Sequence, residues 1–291
     1  MAPSQVKAAA LTLLAVFMWG CAPIGMRYLV GTDHVGLAAM PLIGLRYGLA
    51  ALFFLPVLRG AVRSWSREDW LRGVVCAVVG VTGYNLPNAL GSRTVSAGMV
   101  GLLNGAEPLM IVMILALQRR RWPGAWTLAA AAIGLSGIVL LARSAGPALG
   151  DPGGIAWVLT GAFCWSVYCV VAPPLLRDRG AVQVTAVAMS LGAVPMLCAG
   201  LPGMGALVMA LSLAQWEILL ALVVGTSVIA ILAWNAGSAG LGAEKSGWFL
   251  YLLPVVSAGG GAVVLGEPLT AMEFLGGGLI MASVVLSQRA R

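Results

Sequence analysis

The stretch AGMVGLLNGAEPLMIVMILALQRRRWPGAWTLAAAAIGLSGIVLLAR, Ala97 to Arg143, is echoed by AEKSGWFLYLLPVVSAGGGAVVLGEPLTAMEFLGGGLIMASVVLSQR, Ala243 to Arg289. Each opens in an apolar run with a proline inside it, Pro108 or Pro254. Each then crosses a short polar turn and closes in a Gly/Ala-rich apolar run. A single offset of 146 positions (243 − 97) aligns them without a gap, setting Ala125 on Ala271, Val139 on Val285 and Arg143 on Arg289. The same offset sets Gly91-Ser92 on Gly237-Ser238, and Phe17 and Trp19 on Phe163 and Trp165. Identity is sparse but the register is constant along the chain, as expected of an internal duplication.

Composition fixes the solvent. Of 291 residues, 60% are hydrophobic and 9% charged, where a soluble protein of this length carries roughly a quarter charged. That inventory cannot cover a water-facing surface, so the chain is built for the lipid bilayer. The net charge of +7 reads as topology through its placement. No basic run interleaves with aromatics, which argues against a nucleic-acid partner. Five cysteines (Cys21, Cys76, Cys164, Cys169, Cys198) lie inside apolar runs, odd in number and without a CxxC pair. They read as small buried hydrophobes. The apolar run after Lys7 reaches Val30, too long for a cleaved signal core, and is expected to be a retained first span.

Helical spans need about 20 apolar residues, and ten can be drawn: 8–30, 37–58, 71–91, 95–117, 124–142, 154–175, 181–200, 214–236, 245–265 and 270–288. With the N-terminus in the cytoplasm, the inner segments hold 13 of the 17 Lys and Arg residues. Arg93 and Arg143 fall outside, Arg27 near the outer end of the first span and Arg46 within the second. The bias alternates loop by loop, which supports the orientation and the count. Both termini are expected on the cytoplasmic side. The Ser144–Gly154 connection separates the copies, giving one repeat at 1–146 and another at 147–291.

Five spans per copy is an odd number, so the second copy must enter the membrane inverted. Basic turns of copy one should then become non-basic in copy two. Arg119, Arg120 and Arg121 shift onto Leu265, Gly266 and Glu267, and the basic connection around Arg63 shifts to the region of Glu217, which has no Lys or Arg. Inverted repeats of this kind are the architecture of secondary carriers, with solute bound near the midplane.

Trp19-Gly20 in the first span, Arg46 in the second, and the run from Pro254 through Gly266-Glu267-Pro268-Leu269-Thr270 to Gly276–Gly278 make the chain resemble the drug/metabolite transporter superfamily. The resemblance is to its EamA-type ten-helix members. Within these it is most similar to bacterial amino-acid exporters of the YddG type. The resemblance covers nearly the whole chain, though its motifs are short and identify the family better than the substrate. It implies an all-α polytopic membrane protein of the bacterial inner membrane. Its ten transmembrane helices form two inverted five-helix repeats around a central cavity, with the last helix of each repeat away from it. It also implies export of small metabolites by alternating access. The Glu-Pro-Leu-Thr turn is Arg-Trp-Pro-Gly in copy one, which limits any substrate role for the turn itself.

Charges at membrane depth are costly and mark function or pairing. Glu107, mid-span beside Pro108, reads as a proton-coupling carboxylate or the counterion of a substrate ammonium; alternatively it pairs with Arg46 and fixes helix packing. Pro108 and Pro254 each free a backbone carbonyl and are candidate hinges, although membrane helices also tolerate proline for packing. Asn85, Asn88 and Ser92 share one face of the third span, lining a wet cavity or bonding a neighbouring helix. Asn104 and Asn235 are weaker candidates of the same kind. Among the aromatics, Trp65, Trp70, Trp122 and Trp216 fit the membrane interface. Trp19, Tyr84, Trp165, Tyr168, Trp234, Trp248 and Tyr251 form a second set, candidate cavity lining suited to a zwitterion with an apolar side chain. Ordinary packing accounts for part of this set. The glycine spacings Gly44/Gly48 and Gly101/Gly105, with Gly259–Gly261, read as close helix contacts.

Enzymatic signatures are missing. The single histidine, His34, lies in an outer loop, which excludes HExxH and a histidine triad at depth. Lys245-Ser246 lacks the glycine spacing of a P-loop. An intramembrane enzyme using Glu107 or Cys169 would lack a paired catalytic group, and a channel would need a continuous pore. The leading expectation is a secondary carrier for amino acids or related metabolites. It needs no cofactor or metal, is driven by a proton or substrate gradient, and has a cavity built from spans 1, 3, 4, 6, 8 and 9.

Overall fold

Backbone N–H and C=O groups in hydrocarbon find no water, so an apolar chain satisfies them within helices. The computed structural model describes residues 3–30, 37–91, 103–144, 152–253, 255–256 and 271–287, and no strand occurs among them. The first half carries α1 (Pro3–Val30), α2 (Ala39–Ser64), α3 (Arg67–Gly91), α4 (Glu107–Arg119) and α5 (Ala125–Ser144). The second carries α6 (Pro152–Arg179), α7 (Ala181–Ala210), α8 (Leu213–Leu241), α9 (Ala243–Phe249) and α10 (Ala271–Ser287). Six of these, α1, α2, α3, α6, α7 and α8, are long and apolar enough to cross a membrane. The expected fourth and ninth spans are described in part. Ser92, Arg93, His34, Pro254, Gly259–Gly261, the Glu267–Thr270 turn and most of the Ser144–Gly154 connection lie outside the described residues.

The offset of 146 reappears in backbone detail. Ser66 caps α3 in a capping box with Asp69, and Ser212 caps α8 in a capping box with Gln215; both members differ by 146 (212 − 66, 215 − 69). Each box satisfies orphan N–H groups at a helix start. A π-helical stretch interrupts α3 at Ala77–Thr82 and α8 at Leu222–Ile229, again at matching positions. Gly91 of α3 faces Gly154 and Val158 of α6: a Cβ there would stand 2.7 Å from the Gly154 carbonyl. Gly237 of α8 faces Ala8 and Thr12 of α1, where a Cβ would stand 2.8 Å from the Ala8 carbonyl. Ala8 and Thr12 are themselves the offset mates of Gly154 and Val158.

These exchanges define a two-fold relation. Helix α1 packs on α8 while α6 packs on α3, α2 packs on its own mate α7, and α5 on its mate α10. The closest helix contacts are made where the side chain is absent, as expected where no hydrophobic effect drives helices together in lipid.

Large apolar side chains face outward along these helices, among them Phe17, Phe53, Leu71, Phe163, Leu201 and Phe274. They suit a lipid surface. Trp122 is 84% exposed, as an interfacial residue should be. Trp65 differs from that expectation. It is buried, packs on Trp70 at 5.5 Å and donates its indole N–H to Gln183 Oε1 at 2.9 Å. It belongs to the interface between the halves, because α2 ends where α7 begins.

That basic end of the molecule is tied across the halves at further points. Arg179 binds Asp69 at 2.5 Å and Arg119 faces Glu244 at 3.4 Å, while within the second half Arg177 donates to the Ala239 carbonyl at 3.0 Å.

Candidate functional site

Five rings meet in the middle of the helix packing. Trp165 of α6 is at their centre: Trp19 of α1 lies 5.4 Å away edge-on, Tyr84 of α3 5.3 Å, Tyr168 one helical turn on 5.1 Å and nearly parallel, and Trp234 of α8 5.8 Å. Trp19 also meets Trp234 at 5.5 Å. Centroid separations in this range are favourable for aromatic pairs. Trp165 is 5% exposed and Trp234 fully buried, whereas Trp19 and Tyr84 are only half-buried. The cluster is therefore a floor with a deep side and an open side.

The π-helical stretches shape this floor. Gly80 lies in the first of them, and any side chain there would run into the Tyr168 ring. Trp19 donates its indole N–H to the Thr226 carbonyl, in the second stretch, at 3.0 Å. Local π turns break the regular helical ladder and are frequent at functional sites.

A polar network borders the rings. Tyr168 donates its hydroxyl to Asn235 Oδ1 at 2.7 Å, and Asn235 donates to Thr185 Oγ1 at 2.7 Å. Tyr47 donates to Asn85 Oδ1 at 2.6 Å, and Asn104 donates to Asn88 Oδ1 at 3.1 Å. Asn85 and Asn88 also reach back to the carbonyls of Val81 and Tyr84. The third-span stripe thus bonds its neighbours and its own helix.

Glu107 is the exception to this pairing. It is 2% exposed at the first position of α4, and its Oε1 has no hydrogen-bond partner among the described residues. The Glu107 backbone carbonyl accepts the Ser166 hydroxyl at 3.3 Å, which sets the residue beside α6 and the ring cluster. Asn104 Oδ1 and Trp234 Nε1 are likewise buried and without partners among the described residues. Buried polar atoms normally find one. The expected Glu107–Arg46 ion pair does not form. Arg46 is instead held by the hydroxyls of Ser227, at 3.0 Å, and Thr226.

Trp248 and Tyr251 take no part in the central cluster. They lie 5.8 Å apart in a separate apolar group with Val112, Ala130, Ala131, Ile138 and Ile280, and Tyr251 is aimed at the Ala131 carbonyl of α5. Pro108 also sits differently from its expectation. It occupies the first turn of α4, where its missing N–H is an orphan in any case, and the break in the span is the turn at 105–106 just before it. Composition alone did not single out Tyr47, Thr185 or the Thr226–Ser227 pair. The last carried a readable signal: two adjacent hydroxyls inside an unbroken apolar run.

No group of three His, Cys, Asp or Glu side chains is placed to hold a metal among the described residues. What the site offers is shape, aromatic faces and a few buried polar atoms within a bundle of paired helices. That is the equipment of a multi-pass membrane transporter. The chain belongs to the EamA-like transporter family, which matches it twice, at residues 6–143 and 152–288. This places it in the drug/metabolite transporter superfamily, whose members move solutes and are not enzymes.

Among its relatives is a probable terminal-alkyne amino-acid exporter of Streptantibioticus cattleyicolor, 29% identical over 290 residues, covering 97% of this chain and 94% of that one. The uncharacterized transporter YyaM of Bacillus subtilis is 24% identical over 248 residues, covering 82% and 81%. The uncharacterized inner membrane transporter YicL of Salmonella typhimurium is 26% identical over 285 residues, covering 94% and 92%. A solved crystal structure shares the fold with a TM-score of 0.76 at 19% identity, over 99% of both chains.

Proposed function

We propose that this protein is a secondary carrier that exports amino acids with apolar or aromatic side chains across the bacterial inner membrane. The observation that carries the reading is the pairing of an aromatic floor, Trp19, Tyr84, Trp165 and Tyr168, with the buried and unpartnered carboxylate of Glu107. The rings take an apolar side chain, and Glu107 faces the substrate ammonium. Asn104 and Trp234 supply the other uncommitted polar atoms, and Asn85, Asn88 and Asn235 hold the rings' neighbours in place. A pocket mostly apolar with a few placed polar groups fits a small zwitterion. The amino-acid exporter among the relatives supports the substrate class, and the inner-membrane relative supports the location.

The basic end carrying Arg119, Arg177 and Arg179 is cytoplasmic in this reading, with both termini on that side. The halves, 1–146 and 147–291, rock about the two-fold relation, with the turn at 105–106 just before Pro108 near a bending point. In this reading the ties across the basic end, Asp69–Arg179 and Arg119–Glu244, would help to shut the cytoplasmic side. Closure at one end favours a carrier over a channel. Proton coupling through Glu107 would drive export.

Counterflow into proteoliposomes tests this, using the purified protein and labelled phenylalanine, tryptophan, leucine, glutamate and lysine, with and without a pH gradient. Saturable counterflow of the apolar and aromatic members supports the reading. Uptake of none of them, or of all five without saturation, overturns it.

A further inference from the structure

Arg46 is the second charge at membrane depth, and the repeat shows that its environment is special. Its offset mate is Gly192 (46 + 146). There α7 lies flush against the π-helical stretch of α3: a Cβ on Gly192 would stand 2.5 Å from Val81 and 2.9 Å from the Ala77 carbonyl, and the Gly192 carbonyl takes the Thr82 hydroxyl at 2.8 Å. At the equivalent contact of α2 with the π-helical stretch of α8, a guanidinium occupies the interface. The two-fold relation is broken here by a large cation, which packing alone does not require.

The cation is aimed but not neutralised. Its Nε donates to Ser227 Oγ at 3.0 Å and its Nη2 to Thr226 Oγ1. The guanidinium carbon lies 5.3 Å from the centroid of the Tyr47 ring. No carboxylate pairs with it among the described residues, and its Nη1 donors are uncommitted there. Two neutral hydroxyls fix its direction without cancelling its charge. An arginine guanidinium presents donors in a fork that matches a carboxylate in two-point geometry.

The position connects to the ring floor. Tyr47, adjacent in sequence, bonds Asn85, which follows Tyr84, whose ring meets Trp165 at 5.3 Å. The Tyr84 side chain lies within the electrostatic reach of both Arg46 and Glu107. Arg46 and Glu107 therefore stand near the rings without pairing with each other.

We propose that Arg46, oriented by Thr226 and Ser227, recognises the carboxylate of the zwitterion whose ammonium faces Glu107. This rests on the amino-acid reading above and assigns the residue that separates amino acids from amines. Arg46 thereby selects substrate, and the π-helical stretch of α8 is its mount.

The test is competition in proteoliposomes against counterflow of labelled L-phenylalanine. The competitors are unlabelled L-phenylalanine and L-phenylalaninamide, at a pH where both carry an ammonium. In the wild-type protein the amino acid should compete about tenfold or more better than the amide, the worth of a charge-assisted pair. In Arg46→Gln that ratio should fall toward one, with Arg46→Lys in between. Thr226→Val and Ser227→Ala leave the charge in place and should lower the ratio partway, which covers the case in which Arg46→Gln does not fold. An unchanged ratio in these variants, even with a lower melting temperature, would reduce Arg46 to a staple between helices and overturn the inference alone. Absence of amino-acid counterflow in the wild-type protein would instead overturn the reading on which it rests.

Discussion

The rings of Trp19 and Trp165 meet edge to face, with centroids 5.4 Å apart and planes at 82°, and the two residues are offset mates (165 − 19 = 146). Side chains that correspond across a duplication touch only where the symmetry axis passes between them. The axis therefore runs through the aromatic floor. Any movement of one half against the other changes this contact, which couples the shape of the floor to the relative position of the repeats.

Trp165→Ala should remove the ring that four others contact. Large-to-small changes of a buried Trp cost about 3–5 kcal/mol, so thermal unfolding in detergent should drop by several degrees. Apparent affinity for aromatic amino acids should fall about tenfold or more. Trp165→Phe, which keeps a ring, should recover most of both. Equal transport by the wild-type and alanine proteins would remove the floor from the site.

Glu107→Gln separates function from stability. The wild-type carboxylate is buried with Oε1 unpartnered, and an isolated buried charge is costly. Removing its charge should leave the melting temperature unchanged or raise it. Amino-acid counterflow should nevertheless fall about tenfold or more, as the ammonium loses a charge-assisted partner. A variant that melts lower and transports normally would assign Glu107 to packing.

Gly237→Leu should destabilise far more than Gly278→Ala. A Cβ on Gly237 would stand 2.8 Å from the Ala8 carbonyl and 3.0 Å from the Thr12 nitrogen, whereas one on Gly278 meets nothing within 4 Å. Backbone cannot yield as a side-chain tip can. Melting curves of the two variants decide it: comparable stability would mean that α1 and α8 are not in close contact.

Asp69→Asn should melt below Arg179→Gln. Asp69 serves twice, accepting from Ser66 in the capping box of α3 and from Arg179 across the halves, while Arg179→Gln loses only the second. Ser66→Ala, which disturbs the cap alone, gives the third measurement. If Arg179→Gln melts lowest, the bridge outweighs the cap.

The span pattern and the duplication were legible because lipid imposes long apolar runs and an odd repeat forces the charge pattern to invert. Trp19, Tyr84, Trp165 and Tyr168 were legible as a set because aromatic residues deep in a span are few. The direction each ring faces was not. Trp248 near the end of α9 and Tyr251 in the turn just after it are three residues apart, and nothing in that spacing says that they meet α5 and α10. The π-helical geometry of the stretches Ala77–Thr82 and Leu222–Ile229 was not readable, since both continue the apolar runs of their spans without a break. Without them the partners of Arg46 could not be named, and Glu107 was its natural alternative. Pro108 looked like a mid-helix kink because the turn before it, at 105–106, is written in Gly-Ala.

Clamping the basic end while following transport addresses the rocking of the two halves most directly. Cysteines placed at Asp69 and Arg179, in a background with the five native cysteines replaced, can be joined by a reducible bifunctional reagent in proteoliposomes. Counterflow of labelled phenylalanine should stop on joining and return on reduction. Counterflow that continues at the unjoined rate would contradict alternating access between the halves.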